Sequence, residues 1–333
     1  MTVTVSPRKS GTDHTGRLSP RLLQALERVR IRPDLRGAVV DGQEIEADDH
    51  HDLRRKLSTT LYEVFHAGRS TAGDAVPFHI RDPRLERELA ERVPHRETVT
   101  RVVLCSDPEV SETSGRTVVV QRDGVRIRVA ADRIRSEGAS VGAVVDMVVS
   151  PCRAALSPGF FLVDGTRSVH SAGPILRLYV HLEKAEAALL VWEHVLRLLE
   201  ESQTPYRAKV LSSDVLFPRS DGLVVYLRPD SAHIARRIPA LLRGVDGIGT
   251  RTSVFAVPIS PGVAIAREPE DPRPHMRGLS FGQHRAGVLA QALVESVRDE
   301  LPVEEVIGQQ FTEAGICASE PARNIGDAEF AES

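Results

Sequence analysis

Lysine is scarce in this chain of 333 residues. Only four of its 43 basic residues are lysines (Lys9, Lys56, Lys184 and Lys209), and the others are arginines. The arginine bias itself is interpreted as genomic. Because lysine can lose its proton in a protein whereas arginine stays charged, each lysine is a candidate for a role that arginine cannot take.

Cysteine and long apolar runs are also rare. The three cysteines, Cys105, Cys152 and Cys317, form no CxxC pair, which favours a reduced, cytoplasmic setting. No run approaches the roughly 18 apolar residues of a membrane span. Residues 1–16 are polar and lack the apolar core of a signal peptide, so they are expected to be a disordered leader. The sequence predicts a soluble intracellular protein.

An excess of either charge is missing. The net charge of -3 argues against a nucleic-acid or membrane-surface binder. The near-neutral total hides an uneven distribution, because residues 293–333 carry two basic and ten acidic groups. An acidic tail over 316–333 is expected, either as a solubilising segment or as a docking segment.

Several catalytic motifs are absent or misplaced. Neither GxSxG nor GxxxxGK[ST] occurs, so hydrolase-elbow and P-loop chemistry are not supported. The cluster DDHHD at 48–52 is interpreted as the acidic first turn of a helix rather than a metal site. The stretch GVDGIG at 244–249 follows a predicted helix and precedes a strand, which is the wrong order for phosphate binding, so it is read as a loop. No metal or cofactor is expected.

The hydropathy pattern predicts an α+β fold. In an N-terminal region, 17–150, helical periodicity predicts helices over about 19–29 and 50–67 and a third helix capped by Asp82. Strand alternation in the same region predicts a hairpin over 117–129, which turns at Asp123-Gly124, and a strand over 144–149. In a second region, 151–315, predicted strands alternate with predicted helices. The strands lie at 175–182, 206–211, 222–227 and about 253–258, and the helices at 184–201, at about 231–243 and from about 282. Short turns between close strands favour a mixed or antiparallel sheet.

Basic residues concentrate in this second region. His181 alternates with Tyr179 and Arg177 in one strand, and Lys209 alternates with Arg207 in another. For any single arginine, a solvated strand end is the simpler interpretation. The combination suits β-elimination of phosphate, because arginine forks bind phosphate, a neutral lysine takes a proton and a histidine protonates the leaving group.

Several of these segments carry a family resemblance. Residues about 151–295, through SPGFFLVDG, ILRLYVHL, YRAKVL, GLVVYLRPD, PGVAIA and RGLSFGQHRA, resemble the HopA-type effector domain, which recurs as the lyase component of class V lanthipeptide and related peptide-modifying pathways. More distantly, VVYLRPD at 224–230 is similar to the bacterial phosphothreonine lyase effectors. The resemblance implies a lyase that eliminates phosphate from phosphoserine or phosphothreonine in a precursor peptide, giving dehydroalanine or dehydrobutyrine.

The resemblance also implies roles for individual residues. Lys209 would be the general base and His181 the general acid. The candidate substrate and phosphate contacts are Arg177, Tyr179, Arg207, Arg219, Tyr226, Arg267, Arg277 and Arg285. Tyr179 stands where the phosphothreonine lyases carry a lysine, Arg219 is assigned with a shift in spacing, and the second late arginine could be Arg267, Arg277 or neither.

The expected partners follow from this chemistry. A lyase of this kind needs a phosphorylated precursor peptide and a separate Ser/Thr kinase, and region 17–150 suits recognition of a leader peptide or of that kinase. No nucleic acid or membrane is expected, and a homo-oligomer stays open. Two alternatives also stay open: a phosphopeptide-binding effector or scaffold without turnover, and a purely structural subunit in which His181 and Lys209 lie more than about 10 Å apart.

Overall fold

The computed structural model describes residues 17–69, 80–111, 115–136, 138–167 and 173–330. The predicted leader 1–16 lies outside these residues. The chain forms two compact units, each built from separate stretches of sequence: 1–65, 254–256 and 269–333 make one, called the helical unit here, and 66–253 and 257–268 make the other, called the sheet unit. The predicted divisions at 16/17, 150/151 and 315/316 stay predictions.

The helical unit combines a small antiparallel sheet with helices. Its elements are α1 (Pro20–Leu26), β1 (Val29–Ile31), β2 (Gly37–Val40), β3 (Gln43–Glu46), α2 (His50–Leu61), α7 (Phe281–Arg298) and α8 (Val303–Glu313). Helix α2 packs against α7, and α7 against α8. The carboxylate of Asp49 accepts the backbone N–H groups of His51 and Asp52, so the 48–52 cluster caps a helix as predicted.

The sheet unit contains two antiparallel sheets. After α3 (Pro83–Glu91), the smaller sheet comprises β4 (Thr98–Leu104), β5 (Glu109–Ser111), β6 (Gly115–Arg122), β7 (Val125–Ala130) and β8 (Val144–Val149). The strands of the larger sheet are β9 (Cys152–Ser157), β10 (Phe160–Asp164), β11 (Leu176–Leu182), β12 (Tyr206–Leu211), β13 (Arg219–Leu227), β14 (Val257–Ser260) and β15 (Val263–Arg267). These seven strands lie in the order β14-β15-β11-β13-β12-β10-β9. The predicted α+β class with an antiparallel sheet is confirmed.

The two faces of the seven-stranded sheet differ in chemistry. One face is apolar and packs on α4 (Ala185–Glu201), where the rings of Phe161 and Trp192 meet at 6.2 Å. Strand alternation places Arg177, Tyr179, Arg207, Lys209 and Tyr226 on the opposite face, called the polar face below. The two faces of the sheet therefore carry different side chains, apolar on one and mostly charged or polar on the other.

Three predicted elements differ from the structure. The predicted helix 231–243 is two short helices, α5 (Ala232–Ala235) and α6 (Ile238–Leu241), because Pro239 has no N–H to continue the first one. The predicted strand at 253–258 begins only at Val257, since residues 254–256 belong to the helical unit. Helix α2 ends at Leu61, and a π-helix over Tyr62–His66 replaces the last turn of the predicted helix 50–67.

None of the helices among the described residues is long and apolar enough to cross a membrane.

Candidate active site

Lys209 lies near the middle of the polar face. It pairs with Val224 of β13, which in turn pairs with Tyr179 of β11, so Lys209 and Tyr179 share one row across the sheet. Their Cα atoms are two strand spacings apart, about 10 Å. Arg207, Tyr226 and Arg177 form the adjacent row in the same register. The predicted alternation therefore brings these five side chains onto one face.

The Lys209 ammonium is half-buried and rests on an aromatic ring. Its Nζ lies 4.1 Å from the centroid of the Phe160 ring, a cation–π contact. Among the described residues, no carboxylate forms an ion pair with it and no acceptor forms a hydrogen bond with it. Its charge nevertheless acts on Asp221 and His66, and contributes to lowering the pKa of both groups. Lys209 is therefore a cation without a counter-ion at the edge of a buried cluster.

Arg177 and Arg219 each have a carboxylate of their own. The Nε and Nη2 atoms of Arg177 donate to the two oxygens of Glu268, and its guanidinium stacks 4.9 Å from the centroid of the Tyr226 ring. Arg219 donates from Nε and Nη2 to Asp221 at 2.6 and 3.0 Å. Both pairs are bidentate, so these forks are already engaged within the protein.

The Asp221 carboxyl belongs to a buried cluster. Burial alone would raise its pKa, but the Arg219 guanidinium holds the pKa well below its ordinary value. His66 lies beside it, with Nε2 3.9 Å from the carboxylate and Nδ1 2.9 Å from the Ser253 hydroxyl. Burial lowers the pKa of His66 to about 4, against the opposing effect of Asp221, so the imidazole is neutral at physiological pH.

Tyr179 connects this cluster to the polar face. Its ring meets that of His66 edge-on at 5.1 Å, and both side chains are almost completely buried. Burial raises the pKa of Tyr179 above its ordinary value although Arg177 opposes the shift, so the phenol stays protonated. Tyr179, a candidate substrate contact, is therefore a buried and neutral side chain.

His181 lies two residues beyond Tyr179 on β11, packed against backbone. Its Nδ1 is 3.1 Å from the backbone nitrogen of Arg251 and 3.2 Å from the carbonyl oxygen of the same residue. When Nδ1 carries no proton it accepts from the N–H of Arg251, and when Nδ1 is protonated it donates to the carbonyl. A Cβ at Gly249 would come within 2.5 Å of the ring. The loop 244–249, predicted not to be a dinucleotide motif, therefore contributes a glycine that makes room for His181.

The remaining predicted residues lie elsewhere. Arg267 pairs with Leu176, which places it on the opposite sheet face from Arg177. Arg285 belongs to the helical unit, where its fully buried guanidinium donates to the carbonyl of Pro321 and to Oδ1 of Asn324. Arg277 is exposed in that same unit. The polar face does not include these three arginines.

Four residues of the polar face and of the buried cluster beside it were not predicted from the sequence. Asp164 accepts from Nε of Arg207 at 2.7 Å and from Nε of Arg153 at 3.2 Å. His66 and Asp221 are the other two, and they belong to the buried cluster beside Lys209. Asp221 could have been found, because it alternates with Arg219, but the predicted strand begins only at residue 222. No local pattern marks His66, Asp164 or Arg153.

Comparisons with known proteins give one family. The model of the HopA1 effector protein family matches residues 152–323, just over half of the chain. Two solved effector structures are similar, from Pseudomonas syringae pv. tomato strain DC3000 and pv. syringae strain 61; both are 14% identical, with TM-scores of 0.45 and 0.44. The matches cover 82% and 81% of this chain, and 95% of each effector. No curated protein matches. On the family match, the chain belongs to the HopA1 effector protein family.

Proposed function

We propose that this protein is a phosphoserine/phosphothreonine lyase acting on a phosphorylated precursor peptide, in lanthipeptide-type maturation alongside a separate kinase. The observation that carries the proposal is Lys209: a half-buried amine without a counter-ion, on a sheet face that also presents arginines. Lys209 can release its proton, whereas the guanidinium groups of the polar face stay charged. That property is what a base beside a phosphate requires.

The proposed reaction is a β-elimination. The free amine of Lys209 takes the Cα proton of the phosphorylated residue, and the electron pair of the C–H bond forms the Cα=Cβ double bond. The Cβ–O bond breaks, and phosphate leaves with its electrons. Lys209 ends as an ammonium and returns the proton to water. Fixed cations near the departing phosphate lower the barrier, because they are in place before charge develops.

Lys209 provides the direct test. Lys209→Ala should leave a phosphothreonine peptide unconverted, followed by mass spectrometry as the absence of phosphate loss. Lys209→Arg should be nearly as damaging, because guanidinium cannot accept the proton. Lys184→Ala is the matched control, since Lys184 is an exposed lysine of the same unit that pairs with Asp246. Complete elimination by Lys209→Ala would exclude the proposed base.

His181 is proposed to protonate the departing phosphate, and two variants separate this role from a structural one. His181→Ala should slow elimination by roughly 10²–10⁴-fold if general acid catalysis is its role. His181→Asn keeps an acceptor for the backbone N–H of Arg251 but has no acidic proton. If Asn is as slow as Ala, the acid role is supported; if Asn restores the rate, His181 only positions the 251 backbone.

A second candidate function is phosphopeptide binding without turnover. The placement of His181 favours it, because the ring is held by the backbone of Arg251 and lies beyond the Lys209–Tyr179 row. In that case the wild-type protein retains a phosphopeptide whose mass does not change. The same mass measurement therefore decides between the two functions.

A further inference from the structure

The arginines of the polar face and of the buried cluster beside it differ in how many carboxylates they are paired with. Arg177 is paired with one carboxylate, Glu268, and Arg219 with another, Asp221. Arg153 and Arg207 share Asp164. The first two pairs are neutral, whereas the shared group keeps one positive charge. Adding Lys209 gives an excess of two positive charges on this part of the sheet.

Asp164 holds the guanidinium groups of Arg153 and Arg207 in one arrangement. Asp164 is completely buried, and each of its oxygens accepts from the Nε of one arginine. Burial would raise the pKa of Asp164, but the two guanidiniums lower it, so the carboxylate is ionised. A buried carboxylate therefore fixes both guanidiniums without using their Nη groups.

The Nη groups of both arginines are available to a ligand. Within the described part of the chain, the side chains of Arg153 and Arg207 make hydrogen bonds only through Nε. The Nη2 atom of Arg153 is buried and has no partner there. The side chains themselves are 23% and 32% exposed, so the group is reachable from solvent. A buried N–H without an acceptor costs free energy that a bound anion would recover.

We infer that Arg153 and Arg207, fixed by Asp164, form a clamp for the phosphate of a phosphomonoester. The clamp is adjacent to Lys209, because Arg207 is two residues before Lys209 on the same face of β12 and Asp164 is two residues after the residue that pairs with Lys209. Its excess charge, together with that of Lys209, matches the charge of about -1.5 to -2 on a phosphomonoester near pH 7. The inference rests on the proposed function only for the reaction that follows; binding needs no turnover.

Binding is measured in the Lys209→Ala background, so that turnover cannot consume the ligand. The probe is a fluorescein-labelled phosphothreonine peptide with neutral flanking residues, titrated by fluorescence anisotropy. Arg153→Ala and Arg207→Ala should each weaken binding by about 10- to 100-fold, as expected for hydrogen bonds to a charged group. Arg167→Ala is the control: Arg167 is an exposed arginine of the same unit with one long hydrogen bond to Gln203, so the affinity should stay within about twofold.

Two further sets of measurements identify the ligand and control for misfolding. Inorganic phosphate should compete with the phosphopeptide, whereas the unphosphorylated peptide and its Thr-to-Glu version should bind at least about tenfold more weakly. Arg153→Lys and Arg207→Lys keep a counter-charge for Asp164 and should keep the melting temperature. They should still weaken binding, because lysine has no fork.

The outcomes separate this inference from the lyase proposal. Unchanged phosphopeptide affinity in folded Arg153 and Arg207 variants would overturn the clamp, and so would equal binding of the Thr-to-Glu peptide. Neither result bears on whether Lys209 is the base. Conversely, turnover by Lys209→Ala would remove the proposed base, while the effects of Arg153 and Arg207 on binding would still decide the clamp.

Discussion

Two arginine–aspartate groups on the seven-stranded sheet differ in their net charge and in their exposure to solvent. In the deep group, Arg219 is 0% exposed, and its Nε and Nη2 atoms both donate to one carboxylate, Asp221. In the outer group, Asp164 is equally buried, but it divides its oxygens between two partly exposed arginines, Arg153 and Arg207. The deep group is neutral and closed, and the outer group keeps a positive charge at the surface.

The difference shows that residue type and strand position do not decide what an arginine does. Arg219 and Arg207 lie on neighbouring strands, and both resemble phosphate ligands in sequence. The number of carboxylates per arginine separates them. A neutral buried pair contributes to the fold, and breaking it leaves a buried charge. A shared carboxylate orients two forks and leaves their outer N–H groups for a ligand.

The largest effect should come from breaking the deep pair. Asp221→Asn leaves the Arg219 charge buried without its partner, and we expect a loss of about 3–5 kcal/mol in the free energy of unfolding. Asp164→Asn should cost less, about 1–3 kcal/mol, because its arginines reach solvent and can be hydrated. Urea unfolding followed by circular dichroism measures both.

A double variant checks the cause of this difference. Asp221→Asn combined with Arg219→Met removes both charges and should recover much of the stability lost in the single variant. Equal losses for Asp221→Asn and Asp164→Asn would contradict the distinction between a closed group and an open one.

Much of the fold could be predicted from periodicity. Strand β12 and helix α4 were predicted to within one residue, because their apolar residues follow one clear period. The start of β13 was missed, since Arg219, Ser220 and Asp221 are polar residues in a buried strand. They are tolerated there because Arg219 and Asp221 neutralise each other, which becomes visible only once the strand is folded.

The second prediction concerns stability at low pH, and it tests the buried cluster that contains His66 and Asp221. The pKa of His66 is about 4 in the folded protein and near 6.5 unfolded, so the unfolded chain binds one more proton between these values. The contribution of His66 to stability should therefore be complete above about pH 6.5 and fall by up to about 3 kcal/mol as the pH drops to 4. Urea unfolding at a series of pH values measures this decline.

Two matched variants assign the decline. His284 of the helical unit also has a pKa lowered to about 4 by burial and by Arg285, so both histidines contribute in the same direction. His66→Gln and His284→Gln should each flatten the decline by about half, because glutamine does not titrate. A slope unchanged by His66→Gln would show that the deep cluster does not bury a neutral imidazole.

Only part of the candidate site could be predicted from the sequence. Alternation within one strand placed Arg177 with Tyr179 and Arg207 with Lys209. Asp164 is 43 residues from Arg207 in sequence, and only the pairing of β10 with β12 brings them together. Arg153 comes from a third strand. Local patterns report which residues share a face, but the carboxylate that sets an arginine's role comes from another part of the chain.

Arg177 is the intermediate case, and it gives the smallest predicted effect. It is matched by one carboxylate like Arg219, yet its partner Glu268 is 31% exposed. If net charge on the polar face sets phosphate affinity, Glu268→Gln should tighten phosphothreonine-peptide binding in the Lys209→Ala background by about two- to fivefold, the size expected for one charge about 10 Å away. Glu193→Gln on α4 removes the same charge on the apolar side of the sheet and should change nothing. Weaker or unchanged binding in folded Glu268→Gln would mean that the geometry of the Arg153–Asp164–Arg207 clamp, rather than the charge of the whole face, determines affinity.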